Sequence, residues 1–488
     1  MNINENQTGN PSHTLPLIVR GDSVVTETVF EVRSPTSNQL LYNCSSSSIQ
    51  DAAEAVKAAQ EAFSIWGKLT PYARRDILLK AAEIMVARKE ELIRYQMEET
   101  GAGRSFSEFT FDLGVDFLKD FACRIPTIQG DIPSVNEKGE AAMILKEPYG
   151  VILTIAPWNA PYMLGTRGVA LPLAAGNTVV LKGSELSPKC FWALGDIYRE
   201  AGLPARALNV LYSRTSDAAD VTTALIGHPA VRKVNFTGST QVGTIIATIA
   251  AKFLKPTVLE LGGKASAIVL DDANLEKAAS ACALGAFMHS GQVCMSTERI
   301  IVLHSIADRF LPLLIEAVEK AFGRNTQAPT LIGPSAVRKN KALINDALQK
   351  GAAVLYGELN EEDGCSTSMR PVIVGHVTKD MDIYKTESFG PTVSFITVES
   401  EEDAVAVAND TEYGLTAAVF SENLARAFRV AKQLESGAVH INSLTVHDEP
   451  TLPHGGWKSS GYGRFGGIRG YDEFLQTKTI TWRELSRL

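Results

Sequence analysis

Cysteine is scarce in this chain. Six occur in 488 residues, at Cys44, Cys123, Cys190, Cys282, Cys294 and Cys365. None forms a C-x-x-C pair, so neither a zinc site nor a thioredoxin-like motif is indicated, and no metal is expected. Scattered thiols suit a reducing compartment, with one free to be catalytic and the rest packed. No stretch reaches the ~18 uninterrupted apolar residues of a spanning helix. The first twenty residues are polar, lack the basic start and apolar run of a secretory signal, and read as a loose tail. Basic residues do not predominate either: 47 Lys and Arg face 55 Asp and Glu, for a net charge of −8. That balance draws the chain to neither nucleic acid nor an anionic membrane. No repeat or low-complexity block is visible.

What is present is ordinary globular composition, 45% hydrophobic and 21% charged, in a chain long enough for two or three domains. Ser48 is placed to cap an Ala-rich helix ending near residue 66, and Pro71 opens a helical pattern predicted to run to residue 95. Another helix is predicted over 107–122, after the Gly101–Gly103 break. From Val151 the texture changes. VILTIAP, NTVVLKG, LNVLY, KVNFTG and TVLELGG are short apolar runs, most of them separated by helical stretches. That alternation predicts a parallel α/β sheet. A second series, from about 265 to 440, includes ASAIVL, RIIVL and PTVSFITV. Residues 126–147 and the last fifteen residues fit neither series. The chain ends Ser486-Arg487-Leu488, close to the S-K-L peroxisomal address. The expected location is the cytoplasm, or the peroxisome if the source is eukaryotic.

Three local patterns carry chemistry. Asn235–Gly243 runs from a strand through a Gly-bounded turn into a helix, where backbone N–H groups can face a phosphate. Its spacing is G-x-x-x-x-G rather than the usual dinucleotide fingerprint, so taken singly it reads first as a plain strand-to-helix turn. Gly262-Gly263-Lys264 superficially resembles the end of a P-loop, but Ala265 replaces the hydroxyl that would hold magnesium, which excludes an ATP site. Gly291-Gln292-Val293-Cys294 puts a cysteine in a Gly-led loop, where a thiol can be activated. Cys282, in the apolar run ASACALGAF, has the setting of an inert core residue.

Taken together, these pieces resemble the aldehyde dehydrogenase superfamily over nearly the whole chain. The matching segments come in the family's order: Ile155–Asn159, Gly176–Glu185, Ala201–Pro204, Phe236–Thr240, Leu259–Lys264, Gly291–Cys294, Glu387–Pro391 and Gly455–Gly461. The 34-residue interval between Glu260 and Cys294 also fits. The resemblance implies an α/β fold with a Rossmann-like cofactor domain (15–125 and 148–261), an α/β catalytic domain (262–460) and a β oligomerisation arm (126–147 and 474–488). A homodimer or homotetramer is expected.

The same resemblance implies roles. Cys294 matches the nucleophile that adds to a small-molecule aldehyde, giving a thiohemiacetal and then a thioester. Asn159 matches the oxyanion donor, an effect worth ~3–4 kcal/mol in comparable sites. Glu260 matches the base that activates water for hydrolysis. Ile155, Pro157, Trp158, Lys182, Glu185, Gly238, Ser239, Gly243, Leu261, Glu387 and Phe389 match contacts to the dinucleotide. Glu185, on the adenosine ribose, would repel a 2′-phosphate, so NAD is expected over NADP.

Gln292–Arg299 and Thr445–Glu449 are similar to one branch of the family, the vanillin- and salicylaldehyde-dehydrogenase-like enzymes. Ala160 is small at a pocket-wall position that is often a large aromatic, which leaves room for a ring. Arg167, further along the same helix, is expected either to bind a phenolic oxygen or carboxylate, or to pair with a helix terminus. Val293, Asp448 and His454 complete the expected substrate contacts. His454 stands where the family usually has Phe, and Gly183 and Trp457 also replace commoner residues. The alternatives are an aliphatic semialdehyde dehydrogenase, a coenzyme A-acylating relative, against which Glu260 argues, and a non-enzymatic protein that kept the fold.

Overall fold

The structure, a computed structural model, describes residues 14–326, 329–359 and 366–483. Cys365 and the Ser486–Leu488 tripeptide lie outside the described residues. The helix Ile49–Trp66 begins as its cap predicts: Ser48 Oγ accepts the Asp51 N–H, and the Asp51 carboxylate receives the Ser48 N–H at 2.8 Å. Each satisfies a donor that the helix end leaves orphaned. The single helix expected over 71–95 is two, Pro71–Ala87 and Lys89–Thr100. The chain breaks at Arg88, whose side chain reaches across to Asp196 at 2.8 Å and back to Glu91 at 2.9 Å. The helix expected at 107–122 spans Arg104–Arg124.

The expected loose tail is also corrected. Thr14–Leu15 and Leu17–Val19 are strands, and Leu17, Ile18 and Val19 are buried. The apolar run behind the polar start extends the first sheet through the pairing of Ile18 with Val210.

That sheet has eight strands, with a parallel centre in the spatial order Thr257–Glu260, Val231–Thr237, Val151–Ile155, Thr178–Lys182 and Leu208–Leu211. Val151–Ile155, first in sequence of the five, lies in the middle, so the winding reverses beside it. Ligands of open α/β sheets bind at the carboxyl ends of the strands at such a reversal. A second sheet of seven strands is centred on Thr297–Leu303, flanked by Thr392–Val398 and Ala265–Val269. Each sheet has its own buried apolar cluster.

Glu140–Pro148 and Leu475–Arg483, from the two segments that fit neither series, pair with each other as an antiparallel ribbon. Ile480 and Trp482 are exposed on it. No helix among the described residues is long and apolar enough to cross a membrane.

Candidate active site

The carboxyl ends of the first sheet meet the amino ends of the second. Asn159 follows Val151–Ile155, and Glu260 ends Thr257–Glu260. From the other side, Cys294 precedes Thr297–Leu303, and Glu387 and Phe389 precede Thr392–Val398. Cys294 Sγ lies 3.5 Å from Glu260 Oε1, and Asn159 Nδ2 donates to the Gln292 carbonyl at 2.9 Å. The three residues named for catalysis are therefore together.

The nucleophile loop is a tight left-handed turn. His289, Ser290 and Gly291 have φ of 48°, 57° and 70°. Gly291 has no substitute there, because a Cβ would stand 2.1 Å from the Gly390 carbonyl oxygen. Gln292 pins the loop: its amide donates to the His289 and Thr330 carbonyls and accepts the Ile332 N–H at 2.8 Å. Burial pushes the Cys294 thiol up to about 12, against the opposing pull of the Arg167 charge. At that value the thiol is protonated, and it lies beside the Glu260 carboxyl group. Cys282 is buried, and its thiol is likewise driven far above its usual range.

Arg167 is not the free donor that the sequence suggested, nor does it pair with a helix terminus. It is 1% exposed, bonded to Glu260, and 3.0 Å from Asp448 Oδ2, with its guanidinium 4.2 Å from the centre of the Phe465 ring. His454 joins the cluster. Its Nε2 is 3.3 Å from Glu260 Oε1, and its Nδ1 is 3.9 Å from Asp448 Oδ1. Asp448 Oδ1 is buried without a hydrogen-bond partner among the described residues. The backbone of His454 exchanges N–H and C=O bonds with Phe465, which fixes its position. Burial lowers the His454 imidazole below its usual value, so it is neutral. Ala160 and Val293 are both buried, at 5% and 8% exposure.

The residues matched to the dinucleotide line the same edge. Ile155 ends its strand, and Pro157 and Trp158 follow it. Trp158 meets Phe389 edge-on at 6.0 Å. Lys182 is buried, its ammonium makes no hydrogen bond among the described residues, and Glu185 is the charge that opposes its desolvation. An unpartnered buried ammonium beside a carboxylate suits a hydroxylated ribose. Ser239 caps the helix Thr240–Lys252, its hydroxyl accepting the Val242 N–H. Gly238 and Gly243 have packing reasons too, since a Cβ would stand 2.5 Å from the Phe236 ring and 2.4 Å from Leu261. Gly183 replaces the commoner residue because a Cβ would meet Phe191 at 2.6 Å. Trp457 is half exposed, and nothing in the structure explains its choice.

Gly262 and Gly263 cross between the two halves. A Cβ on Gly263 would lie 2.4 Å from the Cys294 carbonyl oxygen, and one on Gly262 would lie 2.7 Å from the Glu387 carboxylate. The Gly263 N–H donates to Glu387 Oε1 at 2.9 Å. Burial and the nearby Glu298 hold the Glu387 carboxyl up at about 7. Glu298, which sequence reasoning did not single out as a functional residue, bonds the segment that carries Glu387 and Phe389. A glutamate at the start of a strand whose second half is apolar, four residues after Cys294, was the available signal.

Comparison with known proteins identifies the family. The family model described as "Aldehyde dehydrogenase family" matches residues 21–480. The chain is 44% identical to vanillin dehydrogenase of Pseudomonas fluorescens over 474 residues, 96% of this chain and 97% of that protein. It is 39% identical to salicylaldehyde dehydrogenase of Pseudomonas putida over 458 residues, covering 93% and 94%. The crystal structure of a salicylaldehyde dehydrogenase from Pseudomonas putida G7, complexed with salicylaldehyde, superposes with a TM-score of 0.94 at 37% identity. It covers 97% of this chain and 99% of that one.

Proposed function

The chain belongs to the aldehyde dehydrogenase family, and from that membership we propose that it oxidises an aromatic aldehyde bearing a ring oxygen, through a thioester on Cys294. The observation that carries the chemistry is the 3.5 Å approach of Cys294 Sγ to Glu260 Oε1. Glu260 takes the thiol proton as sulfur adds to the aldehyde carbon. Asn159, bonded to the nucleophile loop through the Gln292 carbonyl, donates to the oxygen that becomes negative. The nicotinamide dinucleotide, when bound, supplies the hydride acceptor. Glu260 gives the thiol proton up to solvent and then takes one from water. The hydroxide adds to the thioester carbon, the C–S bond breaks, the acid leaves, and the Cys294 thiolate recovers its proton from Glu260.

Lys182 and Glu185 would hold the adenosine ribose, and Glu387 and Phe389 the nicotinamide end. The Glu185 carboxylate favours NAD over NADP by charge repulsion. Ala160 leaves space for a ring. Arg167 is committed to two carboxylates, so the role of receiving a ring hydroxyl passes to Asp448 Oδ1, a buried acceptor without a donor. The ribbon formed by Glu140–Pro148 and Leu475–Arg483, with Ile480 and Trp482 exposed, would be covered in a dimer or tetramer.

The test is a rate panel of salicylaldehyde, vanillin and benzaldehyde against medium-chain aliphatic aldehydes. An unmatched buried acceptor costs about 1–3 kcal/mol, so the oxygenated rings should exceed benzaldehyde by roughly five- to a hundredfold in kcat/KM. A lead by the aliphatic aldehydes would overturn the substrate assignment and leave the chemistry standing.

A further inference from the structure

Glu298 opens the strand Thr297–Leu303, is 3% exposed, and has no place in the chemistry described above. Its carboxylate bonds the Lys264 ammonium on one side. On the other it gathers the segment 386–389. The Ser388 N–H donates to Oε1 at 2.8 Å and to Oε2 at 3.0 Å, the Ser388 hydroxyl donates to Oε1 at 2.9 Å, and the Phe389 N–H donates to Oε1 at 3.1 Å. Lys264 adds a bond to the Thr386 carbonyl at 2.8 Å. Phe389 has φ of +49°, a left-handed conformation that a bulky residue keeps only when its surroundings hold it there. The Glu298 bonds to Ser388 and Phe389 are that restraint. They also bracket Glu387, whose own carboxylate is steered by the Gly263 N–H.

We infer that Glu298, backed by Lys264, is a positioning residue: it holds the 386–389 strap so that Glu387 and Phe389 face the nicotinamide riboside, and it thereby sets affinity for that half of the cofactor. The inference rests on the reading of Glu387 and Phe389 as cofactor contacts. It acts through them and touches neither Cys294 nor the aldehyde. A carboxylate suits the position because it accepts several N–H and O–H bonds at once, and those bonds are charge-assisted. A neutral amide in its place loses part of that acceptor capacity and leaves the buried Lys264 without its counter-charge.

The test uses binding rather than turnover. Calorimetric titrations compare NAD with ADP, which lacks the nicotinamide riboside, on wild type, Glu298→Gln and Ser388→Ala. Glu298→Gln should weaken NAD about ten- to a hundredfold and leave ADP unchanged. Ser388→Ala, which removes one bond to Glu298, should weaken NAD about two- to tenfold, again without affecting ADP. This milder variant decides the matter if Glu298→Gln does not fold. Unaltered NAD affinity, or equal loss of NAD and ADP, would overturn the inference. If wild type binds both nucleotides but oxidises no aldehyde, the proposed function fails and the positioning role stands.

Discussion

Replacing Arg167 with methionine removes the positive charge between two buried carboxylates. All three side chains are 1% exposed. At 3.0 Å, the Arg167–Asp448 attraction is about 5 kcal/mol with an effective dielectric constant of about 20. Desolvation offsets much of this in the intact pair, but deleting one partner strands the other, which costs about 3–5 kcal/mol. Methionine fills the space with a flexible apolar chain, so the loss is mainly electrostatic. Urea unfolding followed by tryptophan fluorescence should therefore show a markedly lower midpoint. Kinetics should change as well. Arg167 is the charge that holds the Cys294 thiol down at about 12 against burial, so without it the thiol rises further and the stopped-flow burst of NADH slows. Glu260 loses its anchor at the same time, and steady-state turnover falls further than the burst. Arg167→Lys keeps the charge without the planar fork and should recover stability better than rate. A methionine variant with a wild-type midpoint and a wild-type burst would refute this account of the cluster.

Cys294→Ala should abolish NADH formation and preserve NAD binding, whereas Cys282→Ala should leave turnover nearly unchanged, as steady-state assays will report. Glu260→Gln should keep part of the burst and accumulate an acyl-enzyme visible by mass spectrometry; a normal steady-state rate would count against the base. Glu185→Gln should narrow the ratio of kcat/KM for NAD over NADP, and a wild-type preference for NADP would sink the ribose argument. Glu387, held up at about 7, is protonated at lower pH, so NAD affinity should strengthen by up to roughly tenfold per unit as pH rises toward 7 and then level off. Stability moves the opposite way. A carboxyl raised above its ordinary 4.5 contributes most below that value and loses the contribution as pH climbs through 7. Calorimetry across pH 6 to 8 checks the affinity, and a flat profile would defeat it.

Strands ending in proline or glycine, and helices opened by Ser48 or Pro71, were legible because their causes are local. Leu15–Val19 was missed because a polar start hid a short apolar run whose strand pairing is with distant Val210. The break at Arg88 was invisible for a similar reason, since Asp196 lies far along the chain. Cys294, Glu260 and Asn159 were found through motifs, and the fold brings them together. The charge cluster could not be read in advance. Arg167 and Asp448 are separated by 281 positions, and Glu260 and His454 by 194. Only packing decides whether such an arginine meets substrate or a carboxylate.

The glycine pair at 262–263 bears on how this catalyst can be altered. With the Cys294 carbonyl oxygen 2.4 Å from a carbon added at Gly263, even a methyl group has no room there, whereas one added at Gly262 lies 2.7 Å from the Glu387 carboxylate and must push that side chain aside. Laboratory evolution of this chain should recover no viable alanine at Gly263, however strong the selection, and alanine at Gly262 only with a displaced Glu387. Under the proposed function, useful diversity enters where side chains rather than backbones would form the wall, at Ala160 and Val293. A library focused there explores ring size without disturbing the crossing that joins the two sheets.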